Sequence, residues 1–132
     1  MIEINIWGSL VAALSAFVLG GLWYSPVLFG KLWGEAAGID PKADNGHPAK
    51  VFGVSFLFSL LAAMVMSQAL GDDPSLGRGA YLGLLVGVGC VAASFGINYQ
   101  FANRGLPLLL IDGAYHATQF LVYGLILGAW PS

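Results

Sequence analysis

Residues 51–70 read VFGVSFLFSLLAAMVMSQAL, a stretch of twenty residues without a formal charge. As an α-helix, a run of this length is about 30 Å long, which matches the hydrocarbon core of a bilayer. Its only polar side chains are serines and one glutamine, so it has no charged face to turn toward water. The stretch therefore predicts a membrane-spanning helix.

Three further apolar runs of similar length occupy residues 6–24, 80–101 and 106–130. Only the last of them contains a formal charge, at Asp112. Most of the connections are short, which makes neighbouring helices antiparallel. We expect an all-α fold, in which residues 1–132 form a single domain: an integral membrane bundle of four transmembrane helices.

Composition supports this assignment and excludes several classes of protein. The chain has 132 residues, of which 58% are hydrophobic and 9% charged, whereas soluble domains carry about 25% charged residues. The formal net charge is -2 and no basic stripe is present, so nucleic acid is not an expected partner. The chain begins Met1-Ile2-Glu3 without the basic start of a signal peptide, so we expect the first apolar run to be retained as a span.

The longest connection, residues 25–50, combines a predicted helix with a polar loop. Ser25 followed by Pro26 is typical of a helix start, and the apolar residues after it fall on one helical face. We expect a short amphipathic helix at about 26–38, lying in the membrane interface. The loop that follows contains Asp40, Asp44 and His47, but their spacing matches no metal-ligand motif, so no metal site is expected.

The distribution of basic residues predicts the orientation. Lys31, Lys42, Lys50 and Arg104 fall on one side of the predicted bundle, and Arg78 falls on the other side with both termini. Basic residues are enriched on the cytoplasmic side of membrane proteins. We therefore expect a multi-pass membrane protein with its basic side in the cytoplasm and both termini on the opposite side, periplasmic or extracellular.

Small residues recur every four positions in two of the predicted spans. The third span has Gly79, Gly83 and Gly87, and the second has a row of serines and alanine at 55, 59, 63 and 67. Such rows allow helix backbones to approach closely in lipid. The spacing does not say whether the partner helix belongs to the same chain.

Polar residues converge at one end of the predicted bundle. Asp112, His116 and Gln119 form a stripe on the last helix, and ionisable residues within membranes are functional candidates by default. The candidate polar site comprises Asn98, Arg104, Asp112, Tyr115, His116 and Gln119. An Asp–His pair at this position suits proton transfer. The alternative is structural: Asp112 pairs with Arg104 or Lys31, and His116 bonds to Asn98 or Ser94.

Nothing in the sequence predicts catalysis. It contains no phosphate-binding loop, hydrolase elbow or paired metal motif, so we expect neither an enzyme nor a cofactor. The aromatic residues near the predicted helix ends are typical of anchors at the membrane–water interface. These anchors are Trp23, Tyr24, Trp33, Tyr99 and Trp130.

Two segments resemble a known family. Residues 21–33, GLWYSPVLFGKLW, are similar to one hallmark of the domain of unknown function 1761 family, and residues 110–116, LIDGAYH, are similar to another. The sequence departs from that pattern at Ala102, where an acidic residue is common, and at Asp112, where asparagine is common. The resemblance implies a small bacterial membrane protein and no established activity. It directs attention to Trp23, Tyr24, Ser25, Pro26, Gly30, Lys31 and Trp33.

Three functions remain open at this point. The first is helix association, with the chain acting as a homo-oligomer or as an accessory subunit of a larger bacterial respiratory or photosynthetic complex. Its partners would be the lipid bilayer and other membrane helices, met through the small-residue rows. The alternative is a transporter or channel for a small solute or proton, built on the polar site. A third possibility is an intramembrane enzyme that holds a lipid headgroup through Lys31 and Arg104.

Overall fold

The computed structural model describes residues 4–38 and 48–130, and within those ranges the chain is helical with connecting turns. Lys42 and the residues considered for a metal site, Asp40, Asp44 and His47, lie outside the described residues. The elements, in chain order, are α1 (Ile6–Trp23), α2 (Gly30–Ala37), α3 (Pro48–Leu70), α4 (Leu76–Val86), a π-helical segment (Gly87–Ala92), α5 (Ala93–Phe101) and α6 (Leu106–Ala129).

Local side chains define several helix ends. The Asn5 side chain accepts a hydrogen bond from the Gly8 amide at 2.9 Å and caps α1, and the Ser75 hydroxyl accepts one from the Arg78 amide and caps α4. Pro107 lies in the first turn of α6, where its missing N–H costs nothing. Caps of this kind satisfy backbone groups that a membrane would otherwise leave without partners.

The corner between α1 and α2 differs from the prediction. Residues 26–29 form turns, and α2 begins at Gly30 instead of Pro26. The Ser25 hydroxyl donates back to the Leu22 carbonyl at 2.7 Å, so it closes α1 and does not cap α2. A side chain at position 30 would collide with the carbonyl of Tyr24, so the tight corner requires glycine.

Three helices are long and apolar enough to cross a membrane: Ile6–Trp23, Ala49–Leu70 and Leu76–Phe101. The fourth predicted span, α6, has sufficient length at 24 residues but does not meet the same requirement. Asp112, His116 and Gln119 lower its hydropathy. The prediction of four transmembrane helices is therefore not confirmed for α6, and the polar stripe is the reason.

Helix α6 lies at the centre of the bundle. It contacts α1, α2, α3, α4, the π-helical segment and α5. Asp112, Gln119 and Tyr123 are buried on it, although they are polar. The helices around α6 therefore cover the side chains that make it less apolar than its neighbours.

The row of glycines in the third apolar run packs within the same chain. Gly79 and Gly83 of α4 lie directly against the backbone of α6, where Gly124 and Gly128 face them. A Cβ atom at Gly79 would overlap the Gly124 carbonyl, and a Cβ atom at Gly124 would overlap the Gly79 carbonyl. The five glycines of this glycine interface, Gly79, Gly83, Gly87, Gly124 and Gly128, bring two helices into backbone contact.

The row of small residues in α3 also packs within the chain. Ala63 is fully buried, and Ser67 accepts a hydrogen bond from the Asn5 amide at 2.7 Å. Ser59 is buried between α1 and α6. Ser55 is exposed, but the other members of this row and the glycines at 79, 83 and 87 are covered by helices of this chain.

Candidate functional site

Asp112 is held by two tyrosines from different helices. Tyr24, which follows α1, donates its hydroxyl to Oδ1 at 2.7 Å, and Tyr99 of α5 donates to Oδ2 at 2.5 Å. The carboxyl group is buried, with 8% of the residue exposed. Both phenol hydroxyls act as donors, and the carboxyl oxygens accept. The three side chains join α1, α5 and α6 at one end of the bundle, hereafter the Asp112 end.

The aromatic residues next to α1 point into the bundle at the same end. The Trp23 indole N–H donates to the Ile111 carbonyl at 3.1 Å. The buried Tyr115 hydroxyl donates to the Ala16 carbonyl at 2.8 Å, and its ring lies 5.2 Å from that of Tyr24. These contacts join α1 to α6, whereas the prediction of interfacial anchors gave Trp23 and Tyr24 no contact with α6.

The remaining residues of the first hallmark hold α2 against this corner. The Trp33 ring meets that of Tyr24 edge-on at 5.6 Å between centroids, and the Phe29 ring lies 5.1 Å from that of Trp23. Lys31 is exposed on α2. The hallmark GLWYSPVLFGKLW therefore encodes a corner that joins α1, α2 and α6.

A second polar cluster lies further along α6. The Tyr123 hydroxyl is fully buried, 2.5 Å from the Ser59 hydroxyl, and it also accepts a hydrogen bond from the Gln119 amide nitrogen. Ser59 donates to the Ala13 carbonyl at 3.2 Å. The amide oxygen of Gln119 is buried and has no hydrogen-bond partner in the described part of the chain. Buried polar atoms without partners are uncommon.

A cavity of about 710 Å³ lies between α1, α3 and α6, in the half of the bundle nearer the Asp112 end. Its walls are largely aromatic, with Phe17, Phe52, Phe58 and Phe120 among them. Phe52 and Phe58 are also 61% and 67% exposed, so the cavity opens at the surface of the bundle beside α3. The volume is typical of small-molecule sites, which are mostly apolar with a few polar groups.

The polar groups on the cavity wall come mainly from α6. They are Tyr115, His116 and Gln119, joined by Ser55 and Ser59 from α3 and by Tyr24. The His116 ring stacks on Phe95 at 4.7 Å between centroids and meets Tyr115 edge-on at 4.8 Å, so neighbours on both sides fix its orientation. None of the described residues that line the cavity is Lys, Arg, Asp or Glu.

The predicted polar site is thus divided by the structure. Asp112, Tyr115, His116 and Gln119 lie along the buried side of α6, whereas Asn98 and Arg104 are exposed. Arg104 donates to the Ala37 carbonyl at 3.3 Å and holds α2, so it does not pair with Asp112. Ser94 is exposed on α5 and, like Asn98, makes no bond to His116.

Sequence reasoning missed the partners of these residues. The sequence predicts Tyr24 and Tyr99 as interfacial anchors. Its only indication that they contact Asp112 is that all three lie near the same end of the predicted bundle. The sequence predicts Ser59 as a small residue at a helix contact, whereas in the structure its hydroxyl also forms hydrogen bonds with Ala13 and Tyr123. No sequence signal indicated the phenylalanines of the cavity wall. Within the ranges that the structure describes, no group of three His, Cys, Asp or Glu residues is placed to hold a metal ion.

Comparison with known proteins adds a family assignment to this geometry. No curated protein and no solved structure matches the chain. The sequence pattern of one family matches residues 7–128, a range that contains all of α1 but its first residue and all of α6 but its last. The chain therefore belongs to the family described as "Protein of unknown function (DUF1761)", as the resemblance of its two hallmarks predicted.

Proposed function

We propose that this chain is a membrane protein of four spans that binds a small lipophilic molecule in the cavity between α1, α3 and α6. The observation that carries the proposal is the cavity itself, about 710 Å³, aromatic and open beside α3. Its role is binding and not catalysis, since no nucleophile with an adjacent base lines the cavity in the described part of the chain.

The proposal takes α6 as the fourth span. Its polar stripe is covered by the other helices, which is the arrangement expected of polar residues within a membrane. The Asp112 end carries Lys31, Lys50 and Arg104, so the basic-residue rule favours the cytoplasm for this end. Both termini then lie in the periplasm, and the membrane is the bacterial inner membrane.

The position of the opening favours a ligand that arrives from lipid. Val51, Phe52 and Phe58 border the cavity on α3 and are exposed on the outer side of a predicted span. A molecule dissolved in the bilayer reaches this opening without crossing water. The second span then serves both as a wall of the site and as its entrance.

Native mass spectrometry of the protein extracted from its own membrane tests the binding function. Gly21 lines the cavity, and a Cβ atom there meets nothing within 4 Å. In Gly21→Phe the Cβ atom therefore fits without a clash, and the ring occupies space in the cavity. Gly53→Phe is the matched control, because Gly53 is exposed, equally open and outside the cavity lining. We expect a retained small molecule in the wild type and in Gly53→Phe and its loss in Gly21→Phe. Equal retention by all three proteins would contradict the proposal.

A second candidate function is association with another membrane subunit or with a second copy. The glycine interface is occupied within the chain, but the π-helical segment and α5 expose Gly89, Ala93, Ser94 and Asn98. Polar residues exposed on a membrane helix favour a protein neighbour over lipid. The transporter hypothesis has no comparable support, because both oxygens of Asp112 accept hydrogen bonds from Tyr24 and Tyr99.

Cys90 provides the test of association, because it is exposed in the π-helical segment beside these residues. If two copies meet through this face, mild oxidation of the protein in its membrane gives a disulfide-linked dimer that Cys90→Ser does not form. A stable larger assembly without this dimer indicates a different subunit as the neighbour. A monomer in gentle extracts would remove the second candidate.

A further inference from the structure

The cavity described above contains a specific hydrogen-bonding position at His116. Neutral imidazole has two ring nitrogens, one a donor and the other an acceptor. Among the described residues, the Gln119 side chain is placed to hydrogen-bond with one ring nitrogen, and the other ring nitrogen has no hydrogen-bond partner there. Phe95 and Tyr115 pack against the ring. Polar groups in a membrane interior require partners, because lipid tails supply none. A bound molecule is the partner that the cavity can admit.

Gln119 determines which kind of group that molecule should offer. Its amide nitrogen already donates to Tyr123, and its amide oxygen has no well-formed hydrogen bond. The Gln119 side chain lies close enough to His116 to interact with it, so the imidazole N–H is the donor available to this oxygen. The second ring nitrogen is then left as an acceptor. An acceptor requires a ligand that donates, which a hydroxyl does and a ketone does not.

The lining of the cavity also restricts the charge of the ligand. None of its described residues carries a formal charge, so a charged headgroup would enter without a counter-ion. Asp112 lies one turn before His116 on α6, but Tyr24 and Tyr99 occupy both of its oxygens. A neutral head is therefore favoured, and the phenylalanine walls suit an apolar chain.

Resting on the proposed function, we propose that the ligand is a neutral lipid with a hydroxyl head, bound with that hydroxyl at His116 and its chain between α1 and α3. Long-chain alcohols, isoprenoid alcohols and acylglycerols share this chemistry. Ser55, which lines the same cavity from α3, offers a second hydroxyl for the head of a diol such as a monoacylglycerol.

Photolabelling in bilayer discs tests the proposal with four probes of equal chain length, each carrying a diazirine at the same position. They are a primary alcohol, a monoacylglycerol, a methyl ketone and a carboxylic acid. We expect the two hydroxyl probes to label residues of the cavity about fivefold to tenfold more than the ketone or the acid, the factor that one net hydrogen bond supplies. The ratio between alcohol and monoacylglycerol distinguishes a simple alcohol from an acylglycerol.

Variants separate failure of this inference from failure of the proposed function. His116→Leu should remove the preference for hydroxyl probes, His116→Asn should restore part of it, and Gly21→Phe should abolish labelling by all probes. Equal labelling by all four probes, unchanged in His116→Leu, would overturn the hydroxyl inference and leave the binding function intact. If no probe labels the wild type more than it labels Gly21→Phe, both are overturned. Gly53→Phe, labelled like the wild type, shows that the discs and the fold are comparable.

Discussion

The glycine interface between α4 and α6 makes the sharpest prediction about stability. In Gly79→Ala the new Cβ atom would overlap the carbonyl oxygen of Gly124 and approach the Cα atom of Gly128 to 3.2 Å. Both obstacles are backbone, so no side-chain rotation relieves them, and α4 must move away from α6. Overpacking of this kind costs about 1–3 kcal/mol.

Gly77→Ala is the matched control for this substitution. Gly77 lies in the same helix, and a Cβ atom there meets nothing within 4 Å. Alanine at such a site costs nothing in packing and gains up to about 1 kcal/mol of helix propensity. Gly79→Ala makes the same Gly-to-Ala change in the same helix, so the gain in helix propensity is common to both variants. Their unfolding free energies should therefore differ by the overpacking cost, about 1–3 kcal/mol.

Unfolding in mixed micelles with increasing sodium dodecyl sulfate, followed by tryptophan fluorescence, measures this difference. We expect Gly79→Ala to unfold at a clearly lower detergent fraction than the wild type, and Gly77→Ala to unfold at the same fraction or a higher one. Coincident transitions for the two variants would refute the close contact of α4 with α6 and the central position of α6.

Four further substitutions test the polar groups of the bundle. Tyr24→Phe and Tyr99→Phe each remove one donor to the buried carboxyl group, and each should lower the unfolding free energy by about 1 kcal/mol in the same titration, with a non-additive double variant. Ser9→Ala should leave stability unchanged or raise it by about 1 kcal/mol, because the buried Ser9 hydroxyl has no partner among the described residues; a marked loss would contradict this. Arg104→Met should speed amide hydrogen exchange in α2, since it removes the hydrogen bond that holds the end of that helix, and unchanged exchange would count against that contact.

The apolar runs predict the long helices, including α6, but they do not predict which helix lies at the centre of the bundle. The runs containing α1, α3 and α4 are apolar enough to cross a membrane, and their outer sides expose large apolar side chains. Helix α6 is surrounded by protein, so its sequence is free to include Asp112, His116 and Gln119. The residues that mark it as central are the same ones that lower its hydropathy.

A single sequence does not show which residues that are distant along the chain contact one another. The spacing of Gly79, Gly83 and Gly87 predicted a close helix contact, but the matching Gly124 and Gly128 became recognisable only in the structure. Tyr99 resembled an interface anchor because aromatic residues near helix ends commonly serve that purpose. Whether its hydroxyl meets water or a carboxyl group depends on helix rotation, which hydropathy does not determine.

The start of α2 shows a different limit. Ser25 and Pro26 have the residue types of a helix N-terminus, but the Ser25 hydroxyl turns back to the last turn of α1. The same hydroxyl can cap the following helix or close the preceding one, and local sequence does not choose between them. The tight approach at Gly30, dictated by the corner as a whole, decides where the helix begins.

A crystal structure of the protein purified from its own membrane and crystallised from bicelles would test the central claim most directly. We predict elongated density in the cavity between α1 and α3, with one end within hydrogen-bonding distance of His116 and the remainder beside Phe52. A structure in which α3 packs against α1 and the phenylalanine side chains fill the space would contradict the proposed binding site.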